Sequence, residues 1–213
     1  MSSDRPASKP DPNGDRRGRG RWQLAALFLI FALPVVVAWV IYATRDDWTP
    51  AEATAAGALV HPARPAPELT LTAADGATIS LEALVADDWT LLVHAPEGCA
   101  RDCRDRLQVL ANTRLALGED MHRGALALIL GPGAPLPEQA ALPPGLQTAR
   151  LPDAGAAQAL GSWLAPPAGA PAAEQGIYLV DPLGNLMMYY APGEDPKGIL
   201  RDLRRLLKAS RIG

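Results

Sequence analysis

The stretch Trp89–Gly118, WTLLVHAPEGCARDCRDRLQVLANTRLALG, decides the fold. Its opening, Trp89–His94 (WTLLVH), is a short apolar run, the pattern of a buried central strand. Ala95-Pro96-Glu97-Gly98 then breaks the strand with a loop. From Cys99 to Gly118 the apolar residues Leu107, Leu110, Leu115 and Leu117 recur at helical spacing among Arg and Asp. Ala125–Leu130 (ALALIL) is the next buried strand. Strand, helix and strand in this order form one half of a mixed α/β sheet.

The flanks supply the other half. Upstream, Leu69, Leu71 and Ala73 alternate with Thr70 and Thr72, which predicts a strand, and Asp75-Gly76 marks a turn. Ile79–Val85 reads as a short helical turn. Downstream, the Pro- and Gly-rich stretches Gly131–Pro144 and Pro166–Pro171 are loops on either side of a short helix, Ala154–Leu164. Ile177–Asp181 and Leu186–Tyr190 flank Pro182-Leu183-Gly184-Asn185, a hairpin signal. Pro196–Arg211 is an amphipathic helix with Ile199, Leu203, Leu206 and Leu207 on one face; Arg201, Arg204, Arg205 and Lys208 form its solvated face. A strand–helix–strand half followed by a hairpin–helix half gives a mixed sheet covered by helices on both faces. That is the plan of the thioredoxin fold.

Before this domain, Leu24–Ala43 (LAALFLIFALPVVVAWVIYA) carries no charge. At about 1.5 Å per residue it reaches about 30 Å, the thickness of a hydrocarbon core. Trp22, Trp39 and Tyr42 sit towards its ends, where amphipathic rings favour the interface. Arg5, Lys9, Arg16, Arg17, Arg19 and Arg21 precede it, so the positive-inside rule leaves the N-terminus in the cytoplasm. The reading is a single-pass anchor of a bacterial inner membrane, with the C-terminal domain in the periplasm. The expected divisions are a disordered tail over 1–21, a transmembrane helix over 22–43, an Ala/Pro-rich stalk over 44–67 and the thioredoxin-like domain over 68–213. The net charge is only −3, which gives nucleic-acid binding little support.

Two cysteines are the whole supply, too few for a disulfide scaffold. Cys99 and Cys103 fall where the buried strand gives way to the helix, a place whose unsatisfied N–H groups favour a thiolate. At i, i+4 spacing their Cα atoms lie about 6 Å apart, close enough to bridge or to pinch a soft ion such as Cu(I). Cys99 is expected to attack or ligate first, with Cys103 the resolving or second ligand. His94 is a candidate third ligand or base. His61 falls in the stalk and His122 beyond the first long helix. Met187 and Met188 alternate on a strand and share no site. The other reading is a structural bridge on a docking module without chemistry.

The pattern LTLTAADGATISLEAL (69–84), the strand leading into Cys99-x-x-x-Cys103, Tyr178-Leu179-Val180-Asp181-Pro182-Leu183-Gly184 and the final helix resemble the Sco/SenC family. Those are membrane-anchored, thioredoxin-like proteins of cytochrome c oxidase assembly. The resemblance implies thiol–disulfide or Cu(I) handling by Cys99 and Cys103, with an oxidase subunit or another assembly factor as partner. Family members add a copper-binding histidine just before the YLVDP-like strand. Here that stretch, Pro171–Gly176 (PAAEQG), has none.

Overall fold

The computed structural model describes residues 14–43, 55–138, 141–170 and 176–210. The chain divides into two compact units, Met1–Ala53 and Thr54–Gly213. The first contains one helix, α1 (Gly14–Ala43), with Pro34 inside it. It begins earlier than the sequence suggests. Gly14–Arg21, expected as part of a disordered tail, are helical, because arginine propagates a helix well once the apolar run has formed it. The rest of that tail and residues 44–54 of the expected stalk lie outside the described residues. The side chains at 23–26 and 41–43 of the expected span lie outside them too. Among the described residues, no helix is long and apolar enough to cross a membrane.

The second unit is one eight-stranded sheet with helices on both faces. Its strands are β1 (Ala58–Pro65), β2 (Thr70–Ala73), β3 (Thr78–Ser80), β4 (Trp89–Ala95), β5 (Gly124–Leu130), β6 (Leu146–Arg150), β7 (Ile177–Val180) and β8 (Asn185–Tyr190). They lie in the order β1-β8-β7-β4-β5-β6-β2-β3. β4, β5 and β6 run parallel, and the remaining pairings are antiparallel. The helices are α2 (Leu81–Val85), α3 (Arg101–Leu115), α4 (Ala154–Trp163) and α5 (Pro196–Ala209).

The pleat of the central strands sorts the core into two layers. Leu91, Val93, Leu126, Leu128 and Leu130 face Leu107 and Leu110 of α3 and Ile199 and Leu203 of α5. Leu92, Ala127 and Ile129 point the other way, onto Leu81, Leu84 and Val85 of α2 and Leu160 and Trp163 of α4. Burial on both faces is why β4 and β5 read as unbroken apolar runs rather than alternating ones.

Three elements depart from expectation. Thr78–Ser80 is strand β3, so the helical turn read from Ile79 begins only at Leu81. Ala58–Pro65, assigned to the stalk, is strand β1 and pairs with β8, so the globular unit starts before residue 68. Its two prolines and mostly exposed residues hide the strand in the sequence. β6 lies in a stretch left unassigned; Leu146, Thr148 and Ala149 are its buried positions, too few for a recognisable run. The start of the sheet is tied to the last helix by one buried carboxylate. Asp202 on α5, 3% exposed, accepts hydrogen bonds from the Ala56 and Gly57 N–H groups at 2.7 and 3.1 Å.

At the far end of β5, Gly131 lies against the loop that carries the cysteines. A Cβ there would stand 2.0 Å from the Pro96 carbonyl oxygen, with no flexible side chain to give way. Gly131→Ala should therefore push the 96–98 loop outward and cost about 1–3 kcal/mol, the usual range for overpacking. Urea unfolding checks the cost, and the rate at which dithiothreitol reduces the cysteine bridge checks the displacement.

Candidate functional site

β4 runs out at Ala95, and the chain turns through Pro96, Glu97 and Gly98 into α3. Gly98 N–H closes the turn on the Ala95 carbonyl at 3.1 Å. Gly98 has φ +111°, a conformation in which any Cβ is strained. The turn delivers Cys99 just ahead of the helix and Cys103 into its first turn. The two are joined as a disulfide with Cα atoms 5.1 Å apart. Cys99 thus precedes α3 rather than standing on it, and the pair is closer than two helical i, i+4 positions.

The two cysteines face different surroundings. Cys99 is only 7% exposed. It borders a shallow cleft with Pro135 and Leu136, whose loop packs beside Gly98. Cys103 is half-buried and lines a crevice of about 270 Å³ with Glu97, Asp102 and Arg106. Cys103 is the more exposed of the two, whereas the sequence reading gave Cys99 the first role. Arg104 donates to the Cys99 carbonyl at 3.4 Å. Burial lowers the pKa of the Arg106 guanidinium, and the Asp102 carboxylate opposes that shift. Sequence reading passed over Arg106, although its place three residues after Cys103 puts it on the same side of α3.

His94 stands near the end of β4. Leu92 packs with the α2/α4 layer and Val93 with the α3/α5 layer. Strand alternation therefore turns the His94 imidazole away from the face that carries α3. It contributes to the rim of the Cys103 crevice from the end of β4. Among the described residues, no three His, Cys, Asp or Glu side chains gather into a metal-holding group. Of the expected Cys99, Cys103 and His94 set, Cys103 and His94 line one crevice and the two cysteines are bonded to each other. Residues 171–175, where the resemblance places the family's third ligand, lie outside the described residues. His61 falls on β1 rather than on a stalk, and His122 lies in the 3-10 turn after α3. Met188 is core at 4% exposure, and half-buried Met187 packs on the same layer, because a bulge in the β7–β8 pairing interrupts the expected alternation.

His94 still affects stability. Its Nε2 is buried and meets no hydrogen-bonding group among the described residues. Burial pushes its pKa below the ordinary 6.5. Below pH 6.5 the unfolded chain binds a proton that the folded chain refuses. Stability therefore falls as the pH drops from 6.5 towards the folded value, then levels off. His94→Leu should remove that acid slope. At pH 7 it should leave stability unchanged or raise it by about 1 kcal/mol, since an unpaired polar atom is lost. Urea titrations at pH 7.5, 6.5 and 5.5 give both numbers.

Comparison with known proteins agrees with this architecture. Yeast Sco1 superposes with a TM-score of 0.57 at 14% identity, over 71% of this chain and 98% of that one. Apo Sco1 from Thermus thermophilus gives 0.55 at 17%, over 73% and 99%. Copper-bound ScoI from Arabidopsis thaliana gives 0.53 at 15%, over 68% and 98%. At such identities the likeness is one of fold, and the Sco-like thioredoxin architecture read from the sequence is the one observed. No curated protein matches the sequence. A family model described as "Transmembrane-like, N-terminal domain" matches residues 14–45. With a second model, "Transmembrane-like, thioredoxin-like, C-terminal domain", matching residues 89–210, over half its length, the chain belongs to that transmembrane-like, thioredoxin-like family.

Proposed function

We propose that this protein is a membrane-anchored, extracytoplasmic thiol–disulfide exchange factor acting in the assembly of cytochrome c oxidase. The observation that carries this reading is the Cys99–Cys103 disulfide at the rim of an open crevice, at the start of α3. The uncharged run Leu24–Ala43 and the match to a transmembrane-like N-terminal domain support the anchor. The oxidase link rests on the Sco-like fold. One solved relative, at 15% identity, is described as having a disulfide switch and belongs to the Sco family of cytochrome c oxidase assembly proteins.

The chemistry follows from the exposure of the two cysteines. A partner thiolate attacks Cys103 Sγ, the sulfur–sulfur bond breaks, and Cys99 leaves as a thiolate. The unsatisfied N–H groups at the start of α3 favour negative charge there. A second partner thiolate then attacks its own sulfur in the mixed disulfide and releases Cys103. The partner's dithiol becomes a disulfide, and this pair becomes a dithiol by taking up the two protons the partner gives off.

Copper fits less well. Relatives of this fold have been solved with copper bound. Here no three His, Cys, Asp or Glu side chains gather into a metal-holding group among the described residues, so no step through a metal is derived. Full-length protein equilibrated in glutathione buffers tests the proposal. A potential of about −120 to −270 mV supports exchange, and one below about −300 mV marks a structural bridge on a docking module. Titration of the reduced protein with Cu(I) should show no tight one-to-one complex. Tight binding would favour copper handling instead.

A further inference from the structure

The outer face of α5 is a ladder of positive charge. Lys197, Arg201, Arg204, Arg205 and Lys208 stand at i, i+4, i+7, i+8 and i+11. At 100° per residue all five fall within one narrow stripe. The stripe is about 17 Å long at 1.5 Å per residue. All five residues are exposed, and with half-buried Leu200 they line a shallow groove of about 450 Å³. No acidic residue interrupts the stripe: the helix's only carboxylate, Asp202, is turned inward to Ala56 and Gly57.

The fold accounts for only part of this charge. Arg204 donates to the Ala116 carbonyl at 2.7 Å, which pins α5 to the end of α3. Lys208 lies in the last turn, where a cation suits the helix dipole. Lys197 and Arg201 have neither justification, and among the described residues their side chains meet no carboxylate. Like charges three and four residues apart weaken a helix. The chain as a whole is slightly acidic, with 23 Asp and Glu against 20 Lys and Arg, so the stripe is a local concentration rather than a general excess.

We infer that this stripe lies on the anionic headgroups of the membrane that holds the anchor. Lipid phosphate fits it better than a compact acidic ligand does. The charge is drawn out in a line that no single small anion spans, and the long Lys and Arg stems beside Leu200 can reach a flat interface while keeping their heads polar. Basic residues near an anionic leaflet each add attraction, and the sum falls with salt. The inference rests on the anchored reading above. It adds that the globular unit is held against the bilayer by α5 rather than floating free of it.

The lysines give a clean readout, because Lys197 and Lys208 are two of only three in the chain. Full-length protein is reconstituted in vesicles of phosphatidylcholine alone, or with 30% phosphatidylglycerol, and its amines are methylated with formaldehyde and an uncharged borane. Mass spectrometry should show labelling of Lys197 and Lys208 lowered about fivefold or more by phosphatidylglycerol, as expected for cations held at an anionic surface. Added 0.5 M NaCl should reverse the protection. Arg201→Glu combined with Arg205→Glu should also abolish it, although both lysines remain. Equal labelling in the two vesicles overturns the inference and leaves an acidic protein surface as the stripe's occupant. Protection that persists in the double variant overturns it too, since proximity alone would then suffice. Failure of the anchored reading looks different: the protein is then washed from both vesicles by alkaline carbonate.

Discussion

Cys99→Ser captures its partner as a lasting mixed disulfide, and Cys103→Ser does not. This asymmetry is the largest functional effect expected, because both variants should lose catalytic exchange down to the rate of the buffer thiols. With Cys103 retained, exchange is read in the reverse direction: its thiolate attacks the partner's disulfide, one partner sulfur leaves as a thiolate, and no Cys99 remains to resolve the mixed disulfide. With only Cys99 retained, the remaining thiol is 7% exposed beside the Pro135–Leu136 loop, and the partner has little access. Non-reducing electrophoresis of protein recovered from membranes reads the difference directly. The opposite result, capture by Cys103→Ser alone, would restore the order expected from sequence and overturn the one argued from exposure. Both variants also lose a five-residue cross-link, worth about 2 kcal/mol by chain entropy. Comparing each with reduced wild type separates that cost from the loss of exchange.

Asp202→Ala should be the most damaging single change to stability outside the hydrophobic core, at about 3 kcal/mol by urea unfolding. One oxygen of this buried carboxylate accepts both the Ala56 and the Gly57 N–H groups. Bonds to a charged acceptor are worth more than neutral ones, and truncation leaves two donors without their partner. The neighbourhood is close-packed: a Cβ at Gly198 would meet the Ala56 Cβ at 2.5 Å, so the segment has little room to settle elsewhere. Asp202→Asn keeps an acceptor without the charge and should cost about half as much. An Asn variant as damaged as the Ala variant would show that the charge, rather than the bond count, holds the segment.

The pieces of the fold that were legible in the sequence share a physical property. β4, β5, β7 and β8 are apolar runs bounded by turn residues, and α5 has a strict period, so local pattern and tertiary role coincide; α3 follows its pattern only at Leu107 and Leu110, with Leu115 58% exposed. β1 and β6 were not legible because their pairing is decided by neighbours rather than by their own composition. Asp202 illustrates the same limit. It sits on a helix rich in charge, and only the arrival of residues 56 and 57 turns it from a surface acid into a buried acceptor. In the site, the cysteine pair was legible from spacing alone. The relative exposure of its members was not, because it depends on a loop 36 residues past Cys99, at Pro135. The parity of His94 was available: counting by two from Leu92 already turns it from the face that α3 covers.

The two outermost strands of the sheet bear on how copies of this chain meet one another. β3 offers only three residues, and β1 carries Pro62 and Pro65 with a slip in its pairing to β8 between Leu59 and Arg64. Proline lacks an N–H, and a short or irregular rim gives a neighbouring chain no ladder to extend. Copies brought to high local concentration collide often. Blunted rims let them do so without zipping together into aggregates.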